Sequence, residues 1–180
     1  MFRRSVFCLL ISAFCLLPSL SVACTIGAFG PGSTSDGRPI LWKNRDVTNP
    51  NQAMRFLVGS RFRYVTNVYA GDTLNAWAGI NETGFAIMNS NSFNIDADDG
   101  TVMNLALATC ATVDDFARLL DSLNVVGRQT PANYGVFDAT GAAAIFEASN
   151  TFYVRHNTTE DSLDFLIRAN YSMSGNPNRQ

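Results

Sequence analysis

The sequence predicts a single layered α+β domain behind a short targeting segment. Three observations predict it. Strand-like runs come first, a helical region follows and strands resume, an order that suits helices laid over one face of a sheet rather than alternating βαβ units. Apolar residues make up 47% of the 180 and charged residues 16%, which suits one buried core and argues against a disordered tail, a coiled coil or a collagen-like fibre. The first 23 residues, finally, have the make-up of a secretory leader.

In that leader Arg3 and Arg4 form a positive start, Val6 to Leu17 is apolar, Pro18 breaks the run, and Ser21-Val22-Ala23 puts small residues where signal peptidase inspects the chain. The apolar run has about a dozen residues, short of the roughly 20 that a membrane-spanning helix needs. Cleavage after Ala23 is therefore expected, dividing the chain into a signal peptide, 1–23, and one domain, 24–180. The product would be secreted or periplasmic, with no stable membrane insertion; the alternative is an uncleaved anchor.

The mature chain then reads as follows. Thr25 to Phe29 is a short apolar strand, Gly30 to Gly37 is dense turn chemistry, and Pro39 to Asp46 alternates back, predicting a hairpin. Further strands are expected at Ala53 to Val58, Phe62 to Tyr69, Ala76 to Ile80 and Gly84 to Asn89, with an acidic loop from Asn94 to Gly100. Met103 to Thr109 is apolar and rich in helix formers. Thr112-Val113-Asp114-Asp115 nearly matches a capping box, and Val113, Phe116, Ala117, Leu119, Leu120 and Leu123 recur at helical spacing. Strands resume at Ala132 to Asp138, Ala142 to Ala148, Thr151 to Arg155 and Leu163 to Ala169.

Charge and rare residues exclude whole classes of function. The formal charge is −2, and loss of Arg3 and Arg4 leaves 11 basic against 15 acidic residues, too little positive charge for a nucleic-acid groove. His156 is the only histidine, so no scheme or metal cage needing two is available. It falls in a polar stretch read as a surface loop. Asp96, Asp98 and Asp99 lack the bidentate glutamate of a calcium loop and read as solvated. Asn81, Asn157 and Asn170 each open a glycosylation triplet. Trp42 and Trp77 read as core or pocket wall; Phe29, Phe56, Phe62 and Tyr64 read as core, with an acyl pocket as the alternative.

Of four cysteines, Cys8 and Cys15 leave with the leader, and Cys24 and Cys110 remain. Cys110 reads as a buried thiol; a Cys24–Cys110 bridge is the alternative. Cleavage after Ala23 makes Cys24 the first residue, with nucleophile and base on one residue: an α-amine titrating at about 8 and a thiol at about 8.5. The amine can take the thiol proton and later give it to a leaving nitrogen, and no histidine is needed. Alternatively Cys24 is the lipidated first residue of a lipid-anchored envelope protein. Against that, leucine stands one place too early for a lipidation box, and an apolar strand follows where a polar tether would be usual.

With those residues in view, a family resemblance becomes specific. Cys24-Thr25-Ile26-Gly27-Ala28 with Asp36 to Asp46 resembles the start of the N-terminal-nucleophile (Ntn) hydrolases. The nearest branch is the linear-amide group of choloylglycine hydrolase, penicillin V acylase and isopenicillin N acyltransferase. Asn81 to Asn91, Tyr134 to Glu147 and Arg168-Ala169-Asn170-Tyr171 are similar to three further blocks of that group. The resemblance implies a four-layer αββα sandwich. It implies hydrolysis of a small-molecule linear amide, or transfer of its acyl group, through a thioester on Cys24, with no cofactor or metal. A homo-oligomer is compatible with it.

Roles carry over position by position. Cys24 matches the nucleophile and Asp46 a carboxylate that orients the N-terminal group. Lys43 stands where choloylglycine hydrolases carry arginine; it keeps positive charge near the thiolate but not the planar fork, and Arg45 is the other candidate. Strand alternation puts Lys43 and Arg45 on one face and Asp46 on the other. The oxyanion donor falls on Asn91, or on Asn89 if the register differs, and Asn170 matches a second polar residue of the site. Members of the group continue beyond this chain's last residue and place a final catalytic arginine there, so the domain is expected to be a fragment or shortened, with an open sheet edge.

Overall fold

The computed structural model describes residues 24–47, 49–72, 75–92, 100–128 and 131–174. The leader, the acids Asp96, Asp98 and Asp99, and the last six residues lie outside them. Among the described residues no helix is long and apolar enough to cross a membrane.

Among the described residues ten strands form two sheets. β1 (Thr25–Phe29), β2 (Ile40–Asn44) and β10 (Phe165–Arg168) make a three-stranded antiparallel sheet in the order β10-β1-β2. The expected first hairpin is present, with Thr25 opposite Asn44 and Phe29 opposite Ile40. The other seven are β3 (Gln52–Val58), β4 (Arg63–Tyr69), β5 (Ala78–Asn81), β6 (Ala86–Asn91), β7 (Ala132–Phe137), β8 (Ala143–Ala148) and β9 (Tyr153–Asn157). They pair in simple chain order as one antiparallel meander. The β5–β6 turn needs its glycine: Gly84 has φ +86°, and Asn81 Oδ1 collects the amides of Thr83 and Phe85 at 3.1 and 3.2 Å.

Helices α1 (Gly100–Thr109) and α2 (Val113–Val126) connect β6 to β7 and cover one face of the seven-stranded sheet. α1 starts at Gly100, the last residue of the expected acidic loop, and the rest of that stretch lies outside the described residues. Thr112 and Asp115 complete the capping box: Thr112 Oγ1 accepts from Asp115 N at 3.0 Å and Asp115 Oδ2 accepts from Thr112 N at 3.0 Å. Buried Asp138, from the β7–β8 turn, takes a third free amide at this helix end, Val113 N at 2.8 Å.

Two apolar clusters hold the layers together. Between helices and sheet, Phe116 meets Tyr134 and Phe146 edge-on at 5.5 and 5.1 Å, among Phe85, Met103, Leu107 and Leu120. Between the two sheets, Ile26 and Ala28 of β1 pack on Met88 and Ile145 with Leu41 and Leu166. The described residues thus form a helical layer, a seven-stranded sheet and a three-stranded sheet, three successive layers of the αββα sandwich.

The narrower sheet covers only part of its partner, and its own outer face is bare among the described residues; together these account for two departures from the sequence reading. Trp42, read as core or pocket wall, points out from β2 with 51% of its surface exposed. Phe56 stands out from β3 at 64%. Phe29 stacks on Phe165 at 5.6 Å, and Tyr64 and Trp77 are buried as expected. His156 is not in a loop but on β9. Asn81 is buried, its amide held by the carbonyls of Leu107 and Cys110, so the acceptor residue of its glycosylation triplet is internal.

Candidate active site

Cys24 sits immediately before β1, so the pairing of β1 with β2 and β10 decides what surrounds it. On one side β2 brings its end and the following Asp46, whose main-chain carbonyl lies 3.8 Å from Cys24 Sγ. On the other, the segment leaving β10 brings Asn170. With its amide oriented so that both ends are satisfied, Asn170 spans the Cys24 backbone: its nitrogen donates to the Cys24 carbonyl at 3.2 Å and its oxygen accepts from Cys24 N at 3.2 Å. Cys24 and Cys110 are both free thiols, and Cys110 belongs to the cluster under the helices, so they form no bridge. Burial pushes the Cys110 thiol up to about 11.

The remaining expected residues divide into two groups. Lys43, opposite Ile26 on β1, sends its ammonium across to the wider sheet, where it donates to Asn89 Oδ1 at 2.7 Å and to the Trp77 carbonyl at 3.0 Å. That contact uses the acceptor of the Asn89 amide and turns the donor end away from Lys43. The Arg45 guanidinium lies on the Trp77 ring, 3.7 Å from its centroid, with the Tyr69 ring 5.0 Å away. Burial alternates from Lys43 to Asp46, the latter exposed, so Lys43 and Arg45 share a side as the pattern predicts. Asn91 ends β6, half-buried, with its main-chain carbonyl accepting from Asn133 Nδ2 at 3.3 Å.

A second polar group was not assigned a role from sequence. Glu147, fully buried on β8, accepts from Arg168 Nε at 2.5 Å, from Ser174 N at 2.7 Å and from the Ser172 hydroxyl, and His156 Nε2 stands 3.5 Å away. Burial alone would raise its pKa, but the hydrogen bonds from Ser172, Ser174 and Arg168 outweigh it and hold the carboxyl at about 2. The sequence did carry a signal for it: one acid in Ala142 to Ala148, a run otherwise apolar, requires a partner when the strand is buried. Asn133 and Ser90, buried on β7 and β6, carry no such signal, because a neutral polar residue in a strand does not by itself demand a buried partner.

Residues 33–179 match the family model described as acyl-coenzyme A:6-aminopenicillanic acid acyl-transferase. Among solved structures, a variant of conjugated bile acid hydrolase from Clostridium perfringens superposes with a TM-score of 0.57 at 16% identity, over 83% of this chain and 53% of that one. The Caenorhabditis elegans ortholog of N-acylethanolamine-hydrolyzing acid amidase superposes with a TM-score of 0.59 at 13% identity, over 87% of this chain and 74% of that one. At such identities the likeness is one of fold. The chain spans about half the length of the bile acid hydrolase. No curated protein matches it by sequence.

Proposed function

The chain belongs to the acyl-coenzyme A:6-aminopenicillanic acid acyl-transferase family, and we propose that it is an exported cysteine hydrolase or acyltransferase acting on a small linear amide through an N-terminal Cys24. The observation that carries this reading is the pair of contacts from Asn170 to the backbone of Cys24, both at 3.2 Å. Removal of residues 1–23 turns the nitrogen that Asn170 holds into an α-amine, and the same amide oxygen then fixes that amine beside its own thiol.

The chemistry follows from groups on one residue. The α-amine takes the Sγ proton, and the thiolate attacks the amide carbonyl carbon, sending the C=O electron pair to oxygen. The NH₂ of Asn91 or Asn89 donates to that oxyanion. Collapse of the tetrahedral intermediate expels the leaving nitrogen, which carries away the proton held by the α-ammonium, and leaves an acyl thioester. Water or a second amine gives its proton to the α-amine as it attacks the thioester, and Sγ regains that proton on departure. In this reading the Asp46 carboxylate orients the α-amine, and its main-chain carbonyl lies 3.8 Å from Sγ. Lys43 adds positive charge opposite Ile26, two residues along the chain from the nucleophile.

Intact-mass analysis of the exported protein tests the starting point. The expected product begins at an unmodified Cys24; a diacylglyceryl adduct on that sulfur, or a different first residue, ends the proposal and favours a lipid-anchored, non-catalytic protein. Against a panel of chromogenic acyl amides, Cys24→Ser should cut turnover by at least about 10³-fold at unchanged thermal stability. Turnover by the variant equal to the parent's would reject the mechanism.

A further inference from the structure

Three adjacent strands present one buried polar row towards the three-stranded sheet. Ser90 of β6 is opposite Asn133 of β7, and Asn133 is opposite Glu147 of β8. All three are 2% exposed or less. Two residues along, the corresponding row is Met88, Gly135 and Ile145, which packs against Ile26 and belongs to the core. Polar residues therefore replace apolar ones on the same face where that face meets the segment following β10.

Every member of the row bonds that segment. Asn133 Nδ2 lies 3.0 Å from the Ala169 carbonyl and 2.9 Å from the Tyr171 carbonyl, the two residues flanking Asn170. Ser90 Oγ donates to the Ala169 carbonyl at 2.8 Å, and Asn133 Nδ2 is 3.2 Å from Ser90 Oγ. Glu147 holds the next stretch through Ser172 and Ser174, and anchors β10 itself through Arg168. The Asn133 amide nitrogen is thus shared among acceptors, while its own buried oxygen takes no hydrogen bond among the described residues. Packing alone would not put an amide there, since the orphaned oxygen is a cost an apolar residue avoids.

We propose that Asn133 is a positioning residue for the Cys24 site: by gripping the carbonyls on both sides of Asn170, with Ser90 as its second support, it fixes the direction of the Asn170 amide and through it the Cys24 α-amine. The inference rests on the reading of Cys24 as an N-terminal nucleophile. An amide oxygen accepting from the α-ammonium favours the charged amine, and a nearby positive charge favours the thiolate. Loosening Asn170 therefore raises the thiol pKa of Cys24.

The test is the pH dependence of iodoacetamide alkylation at Cys24 in the processed protein, which needs no substrate. Cys110, 1% exposed with its thiol pushed up to about 11, stays out of the reading. Asn170→Ala and Asn133→Ala should each raise the apparent thiol pKa by about half a unit or more, and the double variant should move it no further than Asn170→Ala alone. Ser90→Ala, a milder change, should move it in the same direction by less. Phe116→Leu, a core substitution away from the row, should leave the profile in place. Shifts that add in the double variant, an Asn133→Ala profile matching the parent, or an equal shift from Phe116→Leu would each overturn the assignment, as would an Asn170→Ala profile that does not move. Turnover by Cys24→Ser judges the proposed chemistry separately, because the alkylation cycle reads the amine–thiol geometry whether or not an amide is cleaved.

Discussion

A carboxamide can either accept or donate at a given edge, and at this site that choice separates three asparagines. Asn170 uses both edges on the backbone of Cys24. Asn89 gives its oxygen to Lys43 at 2.7 Å, which leaves its NH₂ as the end with donors to spare. Asn91 is bonded through its main-chain carbonyl, which accepts from Asn133 Nδ2 at 3.3 Å. One amide donor aimed at a developing oxyanion contributes about 10²–10³-fold to kcat. Asn89→Ala and Asn91→Ala therefore give unequal results: the donor loses about 10²–10³ in kcat with KM little changed, and the other stays within about tenfold of the parent. Steady-state kinetics on a chromogenic acyl amide checks this, and equal small losses from both would remove the oxyanion role from β6. Cys24, Lys43, Asp46 and Asn170 could be nominated from sequence because the family resemblance fixes their order along the chain. What Asn170 touches could not, since an acceptor on the backbone of a residue 146 positions away leaves no trace in local spacing.

At the scale of elements, periodicity read well wherever a face is covered and poorly where it is bare. Val113, Phe116 and Leu120 recur at helical spacing and all three are buried. β2 alternates just as cleanly, but alternation states only that Trp42 and Leu41 face opposite ways, not which face receives a layer. Trp42, Ile40 and Ile167 turn out on the uncovered side of the narrow sheet, and Met54, Phe56 and Val58 on a part of the wide sheet that the narrow one does not reach. The start of α2 was fully legible, because a capping box is a local pattern with a local cause. It supports a direct prediction: Thr112→Ala removes the acceptor for Asp115 N and should cost about 1 kcal/mol, lowering Tm by about 2–4 °C. Asp138→Ala should cost more, because its buried carboxylate serves Val113 N and Thr140 N at once. Calorimetry on the two variants checks the order, and a larger loss from Thr112→Ala would show that the helix end depends on its own cap rather than on the β7–β8 turn.

For the whole molecule, the question is what joins the two sheets besides Ile26, Ala28, Met88 and Ile145. The polar answer is Glu147. It stands on the wide sheet, and its partners Arg168, Ser172 and Ser174 belong to β10 and the segment that follows, so one carboxylate ties the narrow sheet and the Asn170 segment to the rest. Burial of that charge is unfavourable, and the hydrogen bonds more than offset it, leaving the folded carboxyl at about 2 against an ordinary 4.5. A carboxyl with a depressed folded pKa adds stability above its unfolded pKa, and that stability is lost as pH falls through the folded value. The contribution should therefore be complete above about pH 5, decline below it and be gone near pH 2, with a full size on the order of 3 kcal/mol. Urea unfolding at a series of pH values measures it. Glu147→Gln should lower stability at neutral pH, because Arg168 is left buried without its anion, and should flatten the acid limb between pH ~5 and ~2. An unchanged acid limb in that variant would mean that other carboxylates govern acid unfolding and that the Glu147 bonds add nothing net to the joint between the sheets.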